Sequence, residues 1–102
     1  MNEVFKALSH PTRRKVLAML RERPMASGEI AAAFDVAWPT MTTHLTALKD
    51  AGLVTAEREG TSIRYRVNAS VMEEAVAALM DLMGAGKDAG PSTIENANGE
   101  KS

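Results

Sequence analysis

Pro39-Thr-Met-Thr-Thr-His-Leu-Thr-Ala-Leu-Lys-Asp-Ala-Gly52 reads as one helix with two unlike faces. Met41, Leu45 and Leu48 recur at helical spacing and make a stripe to be buried. Thr42, Thr43 and Thr46 fall on the opposite face, with Thr40 and His44 toward one flank. Pro39 suits a first helical turn, where its missing N–H does no harm, and Gly52 suits the left-handed residue that closes a helix. Four threonines within residues 40–46 work against helix formation, because β-branched side chains lose rotamer freedom there. A solvated face more often carries Glu, Lys or Gln. This one is uncharged and offers hydroxyls and methyls near a helix N-terminus, groups suited to base edges, thymine methyls and phosphates. The bland alternative, a low-propensity solvated helix, leaves the arginines just downstream unexplained.

Downstream of Gly52 the apolar period changes to two. Residues 54–58 and 62–67 form two strands joined at Glu59-Gly60-Thr61, with Gly60 supplying a permissive backbone. In the second strand Ile63, Tyr65 and Val67 point one way, Arg64 and Arg66 the other. Upstream, Ser27 is the candidate cap of a short helix over residues 27–34, whose inner face carries Ile30, Ala31 and Phe34. Asp35-Val36-Ala37 is the turn that separates it from the threonine helix.

Two further helices precede these. Val4, Phe5 and Leu8 mark the first, His10-Pro11 interrupts it, and Val16, Leu17 and Leu20 mark the second. Arg13, Arg14 and Lys15 open that second helix at the end where cations are disfavoured, so they are either solvated, paired with acids of the same domain, or placed for a nucleic-acid backbone. After the hairpin, a last helix capped near Asn68 or Ser70 carries Met72, Val76, Leu79, Met80 and Met83. That is more apolar surface than one side of a lone short helix needs, which implies a second subunit as partner. The domain is read as residues 1–83, with 84–102 a disordered Gly/Ala/Asn/Ser tail.

The expected architecture is therefore mainly α with a β-hairpin wing: four helices, two strands and a fifth helix, a winged helix-turn-helix. Its threonine helix would enter a major groove, and Arg58, Arg64 and Arg66 would reach phosphates or the minor groove. A chain of 102 residues with 45% apolar residues and a net charge of −1 supports one small domain, and it leaves room for a local basic face. The absence of cysteine excludes disulfides, thiolate metal sites and thiol nucleophiles. No serine has a histidine and an acid to activate it, and no paired carboxylates surround a pocket, so no catalytic residue and no cofactor are assigned. No apolar run reaches the length of roughly 18 residues needed to span a bilayer, and the first residues lack a secretory pattern, so the expected location is cytoplasmic, without membrane insertion.

Lys6-Ala-Leu-Ser-His-Pro-Thr-Arg-Arg-Lys-Val-Leu17, Thr42-Thr-His-Leu-Thr-Ala-Leu-Lys-Asp-Ala-Gly-Leu-Val54, Arg58-Glu-Gly60 and Tyr65 resemble the ArsR/SmtB family of winged-helix repressors over about residues 2–83. The short form and the Asn2-Glu-Val-Phe-Lys-Ala-Leu8 opening look most like its SdpR-type autorepressor branch. The resemblance implies a homodimer built from the first and last helices, bound to a palindromic double-stranded operator, and an autoregulatory repressor. The family's helix-turn-helix positions match Thr40, Thr42, Thr43, His44 and Thr46, and its wing positions match Arg58, Gly60, Thr61 and Arg64; Trp38, Pro39, Lys49 and Arg66 complete the candidate DNA-binding set. The implied dimer residues are Val4, Phe5, Leu8, Met72, Val76, Leu79, Met80 and Met83. The family's metal sensors carry cysteines where Glu29-Ile-Ala-Ala-Ala-Phe-Asp35 stands here, or His/Asp pairs on the last helix, which offers Glu73, Glu74 and Asp81 but no histidine. No metal ligand is therefore assigned; with no effector site evident, control is expected from expression level, autoregulation or, as the branch implies, a sequestering protein partner. Two alternatives stand beside this reading: a repressor with a small-molecule pocket between Trp38 and the first and last helices, and a dimeric protein-interaction module that has lost DNA binding.

Overall fold

The computed structural model describes residues 1–84. In chain order the elements are α1 (Asn2–Ala7), α2 (Pro11–Glu22), β1 (Met25–Ala26), α3 (Ser27–Ala32), α4 (Trp38–Asp50), β2 (Val54–Glu59), β3 (Ser62–Val67) and α5 (Ala69–Leu82). The five helices and the hairpin are those expected from the sequence. Of the tail expected over residues 84–102, only Gly84 is described, and the rest lies outside the described residues. Two compact units divide the chain, Met1–Met72 and the segment from Glu73 onward, so α5 starts in the first and continues in the second.

In the first unit the core is drawn from the first four helices, β1, and β2 with the residue before it. Val16, Leu17 and Leu20 of α2, Ile30 of α3, Met41, Leu45 and Leu48 of α4, and Leu53 and Val54 are buried. Burying each such side chain is worth about 1.5–3 kcal/mol, so the α4 stripe alone outweighs the weak helix propensity of the threonines beside it. Helix α4 packs on α1, α2 and β2, while α2 and α3 pack on β3. Pro39 sits in the first turn of α4, and the helix closes through Gly52, whose φ of 81° is the left-handed conformation. At the other break, Pro11 opens α2 and His10 takes the cap position without a side-chain capping bond. Arg14 Nη1 instead closes α1, donating to the Leu8 carbonyl at 2.7 Å.

The sheet has three strands, ordered β1-β3-β2 and antiparallel throughout. The hairpin runs from Val54 opposite Val67 to Glu59 opposite Ser62, which leaves Gly60-Thr61 as a two-residue turn with φ 63° at Gly60. Strand β1 leaves no periodic signal in the sequence and was not expected from it. Met25 pairs with Tyr65 and Ala26 with Arg64, so the link after α2 is a short strand. This moves the start of α3. Ala26, not Ser27, is its cap residue, and Glu29 therefore lands where its carboxylate reaches back: Oε1 accepts the Ala26 N–H at 3.0 Å. Only this half of a capping box exists, because alanine has no side-chain acceptor. Helix α3 also ends at Ala32, earlier than expected, since Ala33 and Phe34 donate three residues back, to Ile30 and Ala31, and tighten the last turn.

Helix α5 begins under a cap by Asn68, whose Oδ1 accepts the Val71 N–H at 3.4 Å. From Glu73 onward the helix has Ala75 buried, with Val76, Leu79, Met80, Leu82 and Met83 exposed.

Two glycines should respond in opposite directions. A Cβ on Gly52 would meet Val71 only at ordinary contact distance, 3.7 Å, so the cost of Gly52→Ala is the left-handed backbone, about 1–2 kcal/mol. A Cβ on Gly28, inside α3, would meet nothing, and Gly28→Ala should gain about 0.5–1 kcal/mol. Urea unfolding of the two variants measures both signs.

Candidate nucleic-acid interface

Burial of Met41, Leu45 and Leu48 turns the other side of α4 outward, where Thr40, Thr42, Thr43, Thr46 and Lys49 are all exposed. Thr43 is the one threonine of this face whose hydroxyl has a protein partner among the described residues. Its Oγ1 donates to the Pro39 carbonyl at 3.1 Å. With its proton engaged, the Thr43 side chain presents acceptor lone pairs and a methyl group to anything facing the helix. Trp38 opens α4 and is 53% exposed, and Pro39 beside it is exposed too.

His44 lies on the flank, half-buried, and is tied to α2. Its Nδ1 accepts the Arg13 Nε–H at 3.0 Å, and the His10 ring centroid is 5.5 Å from its own. An imidazole that accepts at Nδ1 carries its proton on Nε2. Burial, followed by the charges of Arg13 and His10, holds its pKa below the ordinary histidine value. Arg13 was grouped in the sequence with Arg14 and Lys15. Among the described residues that cluster is not a salt-bridge set: Arg13 is bound to an imidazole and Arg14 to a carbonyl.

The register divides the wing's side chains. Thr55, Glu57, Glu59, Ser62, Arg64 and Arg66 share one face, while Arg58 shares the other with Ile63, Tyr65 and Val67. The three arginines therefore do not form one patch. Glu57 stands directly across from Arg64, and Glu59 binds it diagonally, Arg64 Nε to Glu59 Oε1 at 2.9 Å. Such a partly exposed pair contributes at most about 1 kcal/mol to stability. Its larger effect is to orient the guanidinium and halve the free charge on that face. Arg58 and Arg66 are exposed, as are Gly60 and Thr61 at the tip. A second acid holds the root of the sheet: Glu29 Oε2 accepts from Arg23 at 3.2 Å, and the Ala26 N–H followed by Arg23 keeps its carboxyl below the usual carboxylate range. The role of Glu59 went unread in the sequence, where it looked like turn. A glutamate followed five residues later by an arginine across a two-residue turn is the signal that could have found it.

Of the side chains expected at a subunit contact, Val4 is only 5% exposed within the single chain. Phe5, Leu8 and Met72 are half-buried. Val76, Leu79, Met80 and Met83 are exposed, Met83 by 79%.

A short helix, a turn, a second helix with an uncharged hydroxyl-bearing face and a two-stranded wing define a winged helix-turn-helix DNA-binding regulator. Comparison with known proteins agrees. Residues 8–57 match the sequence profile of a helix-turn-helix domain. The chain is 37% identical over 86 residues to the transcriptional repressor SdpR of Bacillus subtilis, an alignment that spans 84% of this chain and 96% of that one. It is 38% identical over 65 residues to the repressor SmtB of Mycobacterium tuberculosis, covering 64% of this chain and about half, 48%, of that relative. Among solved structures, an ArsR-like transcriptional regulator from Rhodococcus sp. RHA1 superposes with a TM-score of 0.71 at 31% identity, over 85% of this chain and 81% of that one. The chain belongs to the ArsR/SmtB family of winged helix-turn-helix transcriptional regulators, a DNA-binding family and not a catalytic one. Among the described residues no helix is long and apolar enough to cross a membrane.

The depressed His44 pKa has a measurable consequence. The unfolded chain, with an ordinary imidazole, takes up a proton first as pH falls, while folded His44 resists it. The contribution of His44 is whole above the unfolded-state value and is lost as pH drops from there toward the folded value. Urea unfolding across the histidine titration range should therefore show falling stability with acid, and His44→Gln should flatten that slope.

Proposed function

We propose that this chain is a homodimeric, sequence-specific repressor that binds operator DNA at its own promoter, in the cytoplasm, without sensing a metal. The observation that carries the reading is the uncharged threonine face of α4, exposed and opposite a buried stripe. Thr40, Thr42, Thr43 and Thr46 are the base-reading set, with Trp38, Pro39, His44 and Lys49 on or beside the backbone. At the wing, Arg58, Arg66 and the Glu59-held Arg64 meet phosphates, and Gly60-Thr61 approaches the groove. Repression follows from occupancy of promoter DNA, and SdpR, by its name, is a repressor of similar length.

Dimerisation is supported by the exposed Val76, Leu79, Met80 and Met83 of α5, an apolar row that a small soluble chain seldom leaves to water. Phe5 and Leu8 are the apolar side chains of the first helix and its end that remain accessible, since Val4 already serves the chain's own core. Twofold symmetry would set two copies of α4 about 34 Å apart, one turn of duplex. The cysteine-free sequence has no thiolate for soft metals or redox signals, and expression level or a sequestering protein would relieve repression.

The direct test is titration of the full chain with the DNA upstream of its own gene and with scrambled duplex, at two salt concentrations and with stoichiometry recorded. Two protomers per site and a strong preference for the upstream DNA are expected. Equal weak binding to both duplexes would refute autoregulation. Two variants separate reading from anchoring. Thr43→Ala should lose about 1–3 kcal/mol of discrimination at one base pair and little on scrambled DNA. Arg64→Ala should weaken all duplexes alike and lower the salt slope by about one.

A further inference from the structure

Three cations open α2, at the helix end where unsatisfied N–H groups repel positive charge. An acidic neighbour is the ordinary remedy, and among the described residues Arg13 has none. The ion pairs among the described residues join Arg21 to Glu22, Arg23 to Glu29 and Arg64 to Glu59. The partner of Arg13 is instead the neutral Nδ1 of His44, on a different helix, at 3.0 Å. That bond fixes the plane of the guanidinium but leaves its charge uncompensated. It uses Nε–H and leaves the two terminal nitrogens, four N–H donors in a planar fork. His44 accepts through Nδ1 and so has its own donor at Nε2, and His10 flanks the pair with its ring 5.5 Å away. Both Arg13 and His44 are half-buried, and His44 shares its flank of α4 with the exposed Thr40.

An oriented cation with no acidic partner among the described residues, braced from the helix that carries the threonine face, lacks only an anion. The geometry points to Arg13 and His44 acting as one clamp for a DNA backbone phosphate, with Arg13 as the contact and His44 as the residue that positions it. This rests on the reading of α4 as the groove-binding helix. A phosphodiester offers two unesterified oxygens to the guanidinium fork, the geometry for which arginine is better suited than lysine. Because the brace reaches from α2 to α4, a phosphate held by Arg13 fixes how α4 sits in the groove while carrying no sequence information itself. The basic opening of α2 thereby acquires a partner.

Salt-dependent binding of the full chain to its upstream duplex and to scrambled duplex tests the clamp. Arg13→Gln is expected to weaken both by about tenfold and to lower the slope of log K against log salt by about 0.9, one phosphate's share. Arg13→Lys should keep the slope yet bind more weakly than the parent, since an ammonium lacks the fork. His44→Gln should keep the slope with a smaller loss, and its addition to Arg13→Gln should cost nothing more, because the two act together. Thermal unfolding of each variant without DNA separates a structural role. A lowered melting temperature in Arg13→Gln with an unchanged salt slope would make Arg13 a tie between helices and overturn the clamp alone. Parent protein with no salt-dependent binding to either duplex would overturn the clamp together with the groove-binding reading.

Discussion

Burial of Met41, Leu45 and Leu48 is the constraint on which the rest of the molecule turns. A helix cannot rotate about its axis without taking this stripe into water, at a cost of several kcal/mol on the scale of about 25 cal/mol per Å². The stripe therefore decides where Thr42, Thr43 and Thr46 point. It also supplies the stability that four β-branched residues withhold from the same helix, so that side chains poorly suited to a helix are held on one. Packing of α4 on α1, α2 and β2 then sets its direction relative to the wing within the first unit. The exposed hydroxyls and the residues that stabilise the fold occupy opposite faces of the same thirteen-residue helix.

Charge in this protein is arranged locally, which explains how a chain of net charge −1 belongs to a DNA-binding family. In the wing Glu59 and Glu57 share a face with Arg64 and Arg66, so the arginines there are tempered and one of them is oriented. Arg58 lies on the other face, free of any ion pair among the described residues. On α2 Arg13, without an ion pair among the described residues, is braced by an imidazole. On the proposed reading, affinity for a polyanion would be distributed over a few placed groups in place of a general basic surface, an arrangement that limits non-specific binding.

The short strand β1 illustrates how a small contact rearranges its surroundings. Two residues paired with Tyr65 and Arg64 add a third strand to the hairpin and move the start of α3 back by one position. That shift brings Glu29 under the Ala26 N–H, and the same carboxylate ties down Arg23. The first helix of the helix-turn-helix is thus anchored to the root of the wing through β1 and not through a serine cap.

Much of this was legible in the sequence. Helical spacing over residues 39–52, the change to period two after Leu53, and Gly52 and Gly60 at their turns determined α4, the hairpin and the outward threonine face, and apolar spacing elsewhere the other four helices, because each is a local consequence of side-chain periodicity and backbone preference. Tertiary structure alone decided β1, since a two-residue strand has no period and exists only where β3 lies beside it. It also decided the partners of the charges. That Arg13 meets His44, thirty-one residues away, and that Glu59 turns back onto Arg64, depends on which surfaces packing brings within about 3 Å, and no linear spacing encodes that distance.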